Sequence, residues 1–328
     1  MLNGIHAGTS RVAWHALGLA GLLIATLFCA PPAQASHATL SKIHGKAMLS
    51  ITGEKREENS IYVQVDDTDR GHFTVKDTGQ DGINYEENVL TFSSSIPGCV
   101  VQNYATYEPD PANDFLRCEV GAFKTIKANL GDQDDAIWMG DDIRAWTAPK
   151  ISVIVKFGSG ADMFRGGPRN DVAIGGPGND ILTGYAGNDK LVGGAGSDVL
   201  TGDKDYSFDP KPGGGNDVMI GGGRRDYIHP GSGRDKVLAG GGNDIVGSTV
   251  DKDRDVIKCG AGRRDSLLGA NSRRARLRER SVSGCETVSS GGLTSDRIWT
   301  CRKSRCVLTK RQLDPVGFDR PLWGGTGR

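Results

Sequence analysis

Gly175-Gly-Pro-Gly-Asn-Asp180, Gly184-Tyr-Ala-Gly-Asn-Asp189 and Gly193-Gly-Ala-Gly-Ser-Asp198 repeat one six-residue pattern at a spacing of nine. Upstream the same frame holds Gly158-Ser-Gly-Ala-Asp162 and Gly166-Gly-Pro-Arg-Asn-Asp171. Asp162, Asp171, Asp180, Asp189 and Asp198 follow one another without an error in spacing. A stretch rich in Asp, Pro and Lys, 202–212, interrupts them, and the frame resumes at Asp217, Asp226, Asp235 and Asp244. Two positions after each Asp stands a mostly large apolar residue: Phe164, Ala173, Leu182, Leu191, Leu200, Met219, Ile228, Val237 and Val246. Self-similarity at a fixed short period marks a solenoid, in which one repeat buries its apolar face only against its neighbours. Six residues make a turn and three make a short strand. The apolar residue of each strand points inward and stacks on its equivalent in the next coil.

Composition agrees with this reading. Glycine is 48 of 328 residues, about double the ~7% average. Asp outnumbers Glu 31 to 9, and both Gly and Asp are turn formers. Collagen is excluded, because proline is only 13 and glycine has no three-residue period. A long helical protein is excluded too, since glycine costs ~1 kcal/mol per helical position relative to alanine.

The nonapeptide G-G-x-G-x-D-x-U-x, with U a large apolar residue, resembles the RTX or haemolysin-type calcium-binding repeat. Gly175 to Asp180 and Gly193 to Asp198 match its first six positions fully. The resemblance implies an all-β fold, a right-handed parallel β-roll or β-helix solenoid with two nonapeptides per coil. Equivalent residues are then eighteen apart, with adjacent coils ~4.8 Å apart. Asp162, Asp180 and Asp198 would form one row, and Asp171 and Asp189 the opposite one. Asp217 would stack with Asp235, and Asp226 with Asp244. Arg169 and Arg224 depart from the pattern at its fourth position, where backbone freedom favours glycine.

Two carboxylates ~5 Å apart repel by ~3 kcal/mol at an effective dielectric near 20. A hard divalent cation between coils removes that cost. Calcium accepts six to eight oxygens in irregular cages, whereas magnesium demands a tight octahedron. The expected ligands are the nine in-frame aspartates with turn carbonyls, Gly176, Gly178, Gly194 and Gly196 among them, for about four to seven calcium ions. Asp135 lies three nonapeptides before Asp162 and joins the candidate set. The competing reading is a metal-free glycine-rich solenoid with surface aspartates.

The chain before the repeats is expected to be β-rich over 36–130. Ala47 to Thr52, Ser60 to Val65, His72 to Lys76 and Phe123 to Leu130 alternate apolar and polar residues, as half-buried strands do. The roll is placed at 131–258, with a degraded coil around Asp132 and Asp135. Residues 259–288 resemble the C-terminal cap of secreted bacterial, actinobacterial-type proteins with these repeats. The resemblance implies that Cys259 and Cys285 close the last coil there. Residues 289–328 read as a basic, loosely packed tail.

The first 35 residues read as a secretory signal peptide. Arg11 precedes an apolar stretch from Ala13 to Cys29, and Ala33-Gln-Ala35 offers small-x-small cleavage before Ser36. An uncleaved membrane anchor is the alternative. Without Cys29 six cysteines remain, an even number suited to an oxidising compartment. Fifteen pairings are open. Cys99–Cys118, Cys259–Cys285 and Cys301–Cys306 are favoured because each couple brackets one short segment. No CxxC occurs and no His lies near these cysteines, so a zinc site finds no support.

The formal net charge of zero hides a dipole. From Arg254 onward 17 Lys or Arg face 7 Asp or Glu, while before it 23 face 33. The run Arg273-Arg-Ala-Arg-Leu-Arg-Glu-Arg280 could contact an extracellular polysaccharide or an anionic cell-surface polymer, or simply be a solvated cap. Nucleic acid is not an expected partner, and a monomer is expected. H-E-x-x-H, G-x-S-x-G and the P-loop motif are absent from the sequence, so no catalytic residue is assigned. The reading is a secreted calcium-binding protein, with two alternatives on the same roll. One is a calcium-stabilised carbohydrate-active enzyme. The other is a surface adhesin, which a cluster of Tyr85, Tyr104, Tyr107 and Trp138 would favour.

Overall fold

The alternating apolar positions form strands. In a computed structural model the chain is described over residues 37–43, 46–53, 56, 58–65, 71–77, 91–92, 97–103, 114–140, 150–203, 214–247, 255–268, 282–289, 298–302 and 305–309. For 37–47, 91–92, 103, 114, 287–289 and 298–309 this is the backbone alone. These residues hold 25 strands in two sheets, of 11 and 14 strands, and no helix. The signal peptide, the cationic run 273–280, Tyr85, Tyr104 and Tyr107 lie outside the described residues.

Successive strands alternate between the two sheets, and both sheets run parallel through the repeats. In the first sheet Ser152–Ser159, Val172–Pro177, Lys190–Ala195, Val218–Gly223, Lys236–Gly241 and Val256–Gly260 lie side by side. In the second, Met163–Arg165, Ile181–Thr183, Val199–Thr201, Tyr227–His229, Ile245–Gly247 and Ser266–Leu268 do the same. The strands therefore differ in length: three residues in one sheet, mostly six in the other. In the longer ones pairing continues into the turn glycines, as in Gly176 opposite Gly194.

Each strand buries its alternate residue, and these residues stack from coil to coil. Ile51, Ala128, Val155, Ala173, Leu191, Met219, Val237 and Ile257 form one column by register. Ile61, Ile137, Phe164, Leu182, Leu200, Ile228, Val246 and Leu267 form the other. All sixteen are buried in one core cluster. Burying such a side chain is worth about 1.5–3 kcal/mol.

Coil length is eighteen where Ile154 pairs Val172 and where Val172 pairs Lys190. Elsewhere the register absorbs extra residues without shifting face. Lys190 pairs Val218, which places ten extra residues in that coil. Ser152 pairs Thr125, so Asp135 stacks beneath Asp162 in a single 27-residue coil rather than a coil and a half. The insertion, read from sequence as 202–212, begins later: Gly202 and Asp203 still hold turn positions, and 204–213 lie outside the described residues.

The predicted N-terminal strands appear as Lys46–Thr52, Ser60–Val65, His72–Asp77 and Thr125–Asp132. Antiparallel pairing covers the start of both sheets. Lys46–Thr52 pairs with His37–Ile43, and Ser60–Val65 with His72–Asp77. Asp114–Glu119 then bridges His72–Asp77 to Cys99–Asn103. Cys99 faces Cys118 in that last pair and is bonded to it.

Beyond the repeats Val282–Ser283 and Thr287–Ser289 extend both sheets, and Cys259 is bonded to Cys285. Where a loosely packed tail was expected, Ile298–Arg302 and Arg305–Thr309 add an antiparallel hairpin to the second sheet. Alternation in Ile298-Trp-Thr-Cys-Arg302 accounts for it. Cys301 stands opposite Cys306 in the hairpin register; their side chains lie outside the described ones.

Candidate metal centre in the turns

The turn aspartates form two ladders of hydrogen bonds. The Asp162 N–H donates to Asp180 Oδ1 at 2.9 Å, and the Asp180 N–H to Asp198 Oδ1 at 3.0 Å. The ladder crosses the insertion, since the Asp198 N–H donates to Asp226 Oδ1 at 2.9 Å, and Asp226 to Asp244 at 3.0 Å. On the opposite edge Asp171 N–H donates to Asp189, Asp189 to Asp217 and Asp217 to Asp235, each at 2.8 Å. The two blocks of repeats are one continuous solenoid with two rows.

Both rows run past the recognisable repeats. Asp235 N–H reaches Asp255, Asp244 reaches Asp265, and Asp265 reaches Glu286. At the other end Asp135 N–H donates to Asp162, while Asn59 donates to Asp135 Oδ1 through both its N–H and its Nδ2. Sequence reading missed Asp255, Asp265 and Glu286 as row members because they fall 20 or 21 residues beyond their predecessors. It also missed a second, exposed ladder built from the fifth repeat position. There Asn170, Asn188 and Asn216 each accept the N–H one coil on, at 2.9, 2.7 and 2.9 Å. The recurring Asn before Asp was the available signal.

The row aspartates are not surface groups. The nine in-frame residues and Asp135 are 0–2% exposed. One carboxylate oxygen of each accepts a backbone N–H, from the preceding row aspartate in most, from Val153 at Asp171 and from Asn59 at Asp135. The second oxygen, Oδ2, is buried without a hydrogen-bond partner in Asp135, Asp162, Asp180, Asp189, Asp198, Asp217, Asp226 and Asp244. Asp171 differs, because its Oδ2 accepts the Gly167 N–H at 2.9 Å. Burial pushes the carboxyls of Asp135, Asp162, Asp171 and Asp226 up to about 7. The same cause takes Asp180 and Asp217 to about 6 and Asp189 to about 9. Like charge along the row adds to it, as Asp171 and Asp217 do at Asp189. Removal from water is therefore the main penalty, ahead of the mutual repulsion expected from the rows.

The first glycine of a repeat makes room for the unused oxygen. A Cβ at Gly175 would fall on Asp180 Oδ2 and close to the carbonyl of Gly193 in the next coil. Gly193 stands in the same way between Asp198 and the Gly221 carbonyl, and Gly221 between Asp226 and the Ala239 carbonyl. Gly202 stands between Asp217 and the Pro230 carbonyl. A carboxylate oxygen beside a carbonyl oxygen, both dry, requires a proton or a cation near them. Among the described residues no three acidic, His or Cys side chains converge on one point. A cation here would thus take further oxygens from the backbone, and an all-oxygen set suits calcium.

The second and fourth glycines have a different task. Gly176 and Gly194 adopt φ of +133° and +128°, and the preceding coil's carbonyl occupies the place of their missing Cβ. Gly178 and Gly196 approach the carbonyls of Gly160 and Gly178 in the same way. Arg224 holds its turn at φ +67°, the left-handed region. Arg169 takes its position without a positive φ.

The family model for the RTX calcium-binding nonapeptide repeat matches residues 158–191, 165–200 and 212–246. These stretches are similar to RTX calcium-binding nonapeptide repeats, and the nine in-frame aspartates lie within them, while Asp135, Asp255, Asp265 and Glu286 continue the rows outside. Searches among curated proteins and among solved structures find no match. Outside the RTX stretches one aromatic group is notable: Trp138 meets Tyr62 edge-on at 4.4 Å, with Arg165 over Trp138 and Lys76 over Tyr62.

Proposed function

We propose that the chain is an exported calcium-binding RTX solenoid whose ions drive its folding and rigidity. The ligands are the in-frame aspartates Asp162 to Asp244 with turn carbonyls, Gly176, Gly178, Gly194 and Gly196 among them, and Asp135 extends the row. About four to seven ions fit this donor count.

One observation carries the reading. An asparagine at a row position would accept the ladder N–H through Oδ1 and place an amide N–H₂ where the orphaned oxygen lies. The chain does use asparagine in its exposed ladder. Along the buried rows, Asp171 apart, it keeps carboxylates such as Asp162, Asp180, Asp198 and Asp226 whose second oxygen has no hydrogen-bond partner. Calcium supplies the missing positive charge. Until it binds, these oxygens hold protons or the coil does not close. Binding and folding are then one process, because the donor set exists only in stacked coils.

Export rests on the signal-like first 35 residues and on the disulfides Cys99–Cys118 and Cys259–Cys285. Outside the cell calcium is abundant and thiols are oxidised. The solenoid acts as a monomeric, stiff calcium-hardened element without catalytic residues, and the basic C-terminal region faces anionic surface polymers. Calorimetric titration of the chelated, disulfide-intact chain tests the core of this. Several calcium ions should bind per chain, and Asp180→Asn should lower that number. Absence of heat up to millimolar calcium would overturn the reading.

A further inference from the structure

One turn of the solenoid carries a carboxylate that the repeat does not prescribe. Gly202 opens the repeat that ends in Asp217, and the register places ten extra residues between them. The second place of that repeat is Asp203, where neighbouring coils have Tyr185 and Gly231. Asp203 is 4% exposed. Its Oδ2 accepts the N–H of Ser232 at 3.0 Å and of Gly215 at 3.3 Å. Its Oδ1 is buried without a partner. Asp217, which closes the same repeat, also has its Oδ2 buried and unpartnered. Asp217 Oδ2 and the Pro230 carbonyl occupy the place a Cβ would take on Gly202, the residue before Asp203.

We infer that Asp203 and Asp217 form a two-carboxylate calcium site with the Pro230 carbonyl, where the two repeat blocks join. The inference rests on the calcium reading above. Two carboxylates on one ion raise its affinity, since ligand charge count sets the binding strength of oxygen cages. The site therefore fills first as calcium rises. It fixes the register of the coil that carries the ten extra residues. If Asp203 served only to hold the Gly215 and Ser232 amides, an asparagine would accept the same two bonds.

The test is a calcium titration of the full, disulfide-intact chain by calorimetry, as wild type and as Asp203→Asn. The wild type should show one site tighter than the rest. In Asp203→Asn that site should weaken about tenfold or more, with the remaining sites unchanged and the same β-type circular dichroism at saturating calcium. Superimposable isotherms would reduce Asp203 to an amide clamp and leave the calcium reading intact. No uptake by the wild type would remove the calcium reading itself. If Asp203→Asn does not fold, wild type is dialysed against chelators of graded strength. Retention of one ion after the others have left supports the site, and loss of all ions together overturns it.

Discussion

Raising the pH should unfold the calcium-free protein, and calcium should abolish the effect. The row carboxyls have folded-state values above the ordinary 3.8, so the fold binds protons more tightly than the unfolded chain does. Stability is then complete below about 4 and is lost as pH rises through the folded values. Most of that loss falls between about 4 and 7, where Asp135, Asp162, Asp171 and Asp226 titrate, and Asp189 extends it to about 9. Asp171, at 1% exposure, moves from 3.8 to about 7. Keeping it ionised in the fold costs on the order of 4 kcal/mol, at ~1.4 kcal/mol per tenfold. A typical domain has only about 5–15 kcal/mol in total, so a few such groups exceed it. In chelator, far-UV circular dichroism should report sheet at pH 5 that disappears by pH 8. In millimolar calcium the sheet should persist at both. A chelated protein as folded and as heat-resistant at pH 8 as at pH 5 would refute the burial argument.

Other outcomes follow from single residues. Gly194→Ala places a methyl on the Gly176 carbonyl at φ +128°, and should cost roughly 1–3 kcal/mol for the backbone alone; Gly223→Ala, with open space around it, should leave the melting temperature within about a degree or two of wild type. Equal effects of the two would contradict the close stacking of coils. Replacing Cys259 and Cys285 by serine should lower stability by roughly 3–4 kcal/mol in urea titration, since their bond closes 26 residues of chain. Leu200→Ala, fully buried in the second column, should cost about 2–5 kcal/mol in the calcium-bound protein.

The repeats were legible because each position has one physical demand. Gly194 needs a positive φ, Asp198 needs a short side chain that accepts the Asp180 N–H of the preceding coil, and Leu200 needs to point inward. Nine such sets in frame leave little freedom. The rest was hidden because only turns and inner residues fix the coil. Extra residues can be accommodated without disturbing register, as between the paired Lys190 and Val218, and a fixed period then loses the thread. That is why Asp198 stacking on Asp226, and Asp244 on Asp265, could not be read from spacing. Nor does sequence show that Asp180 is dry. The rows read from spacing are buried ladder members, and their unused oxygens became visible only with the coils stacked. Asp203 sat inside the stretch taken for an insertion, and only its hydrogen bonds to Gly215 and Ser232 return it to the turn.

The most direct test of calcium-driven folding is one titration. The chelated, disulfide-intact chain at pH 7.5 receives calcium while far-UV circular dichroism and resistance to a protease are followed together. Both should rise cooperatively over the same calcium range, and magnesium at the same concentrations should not replace calcium. A spectrum and a cleavage rate that are the same in chelator and in millimolar calcium would contradict it.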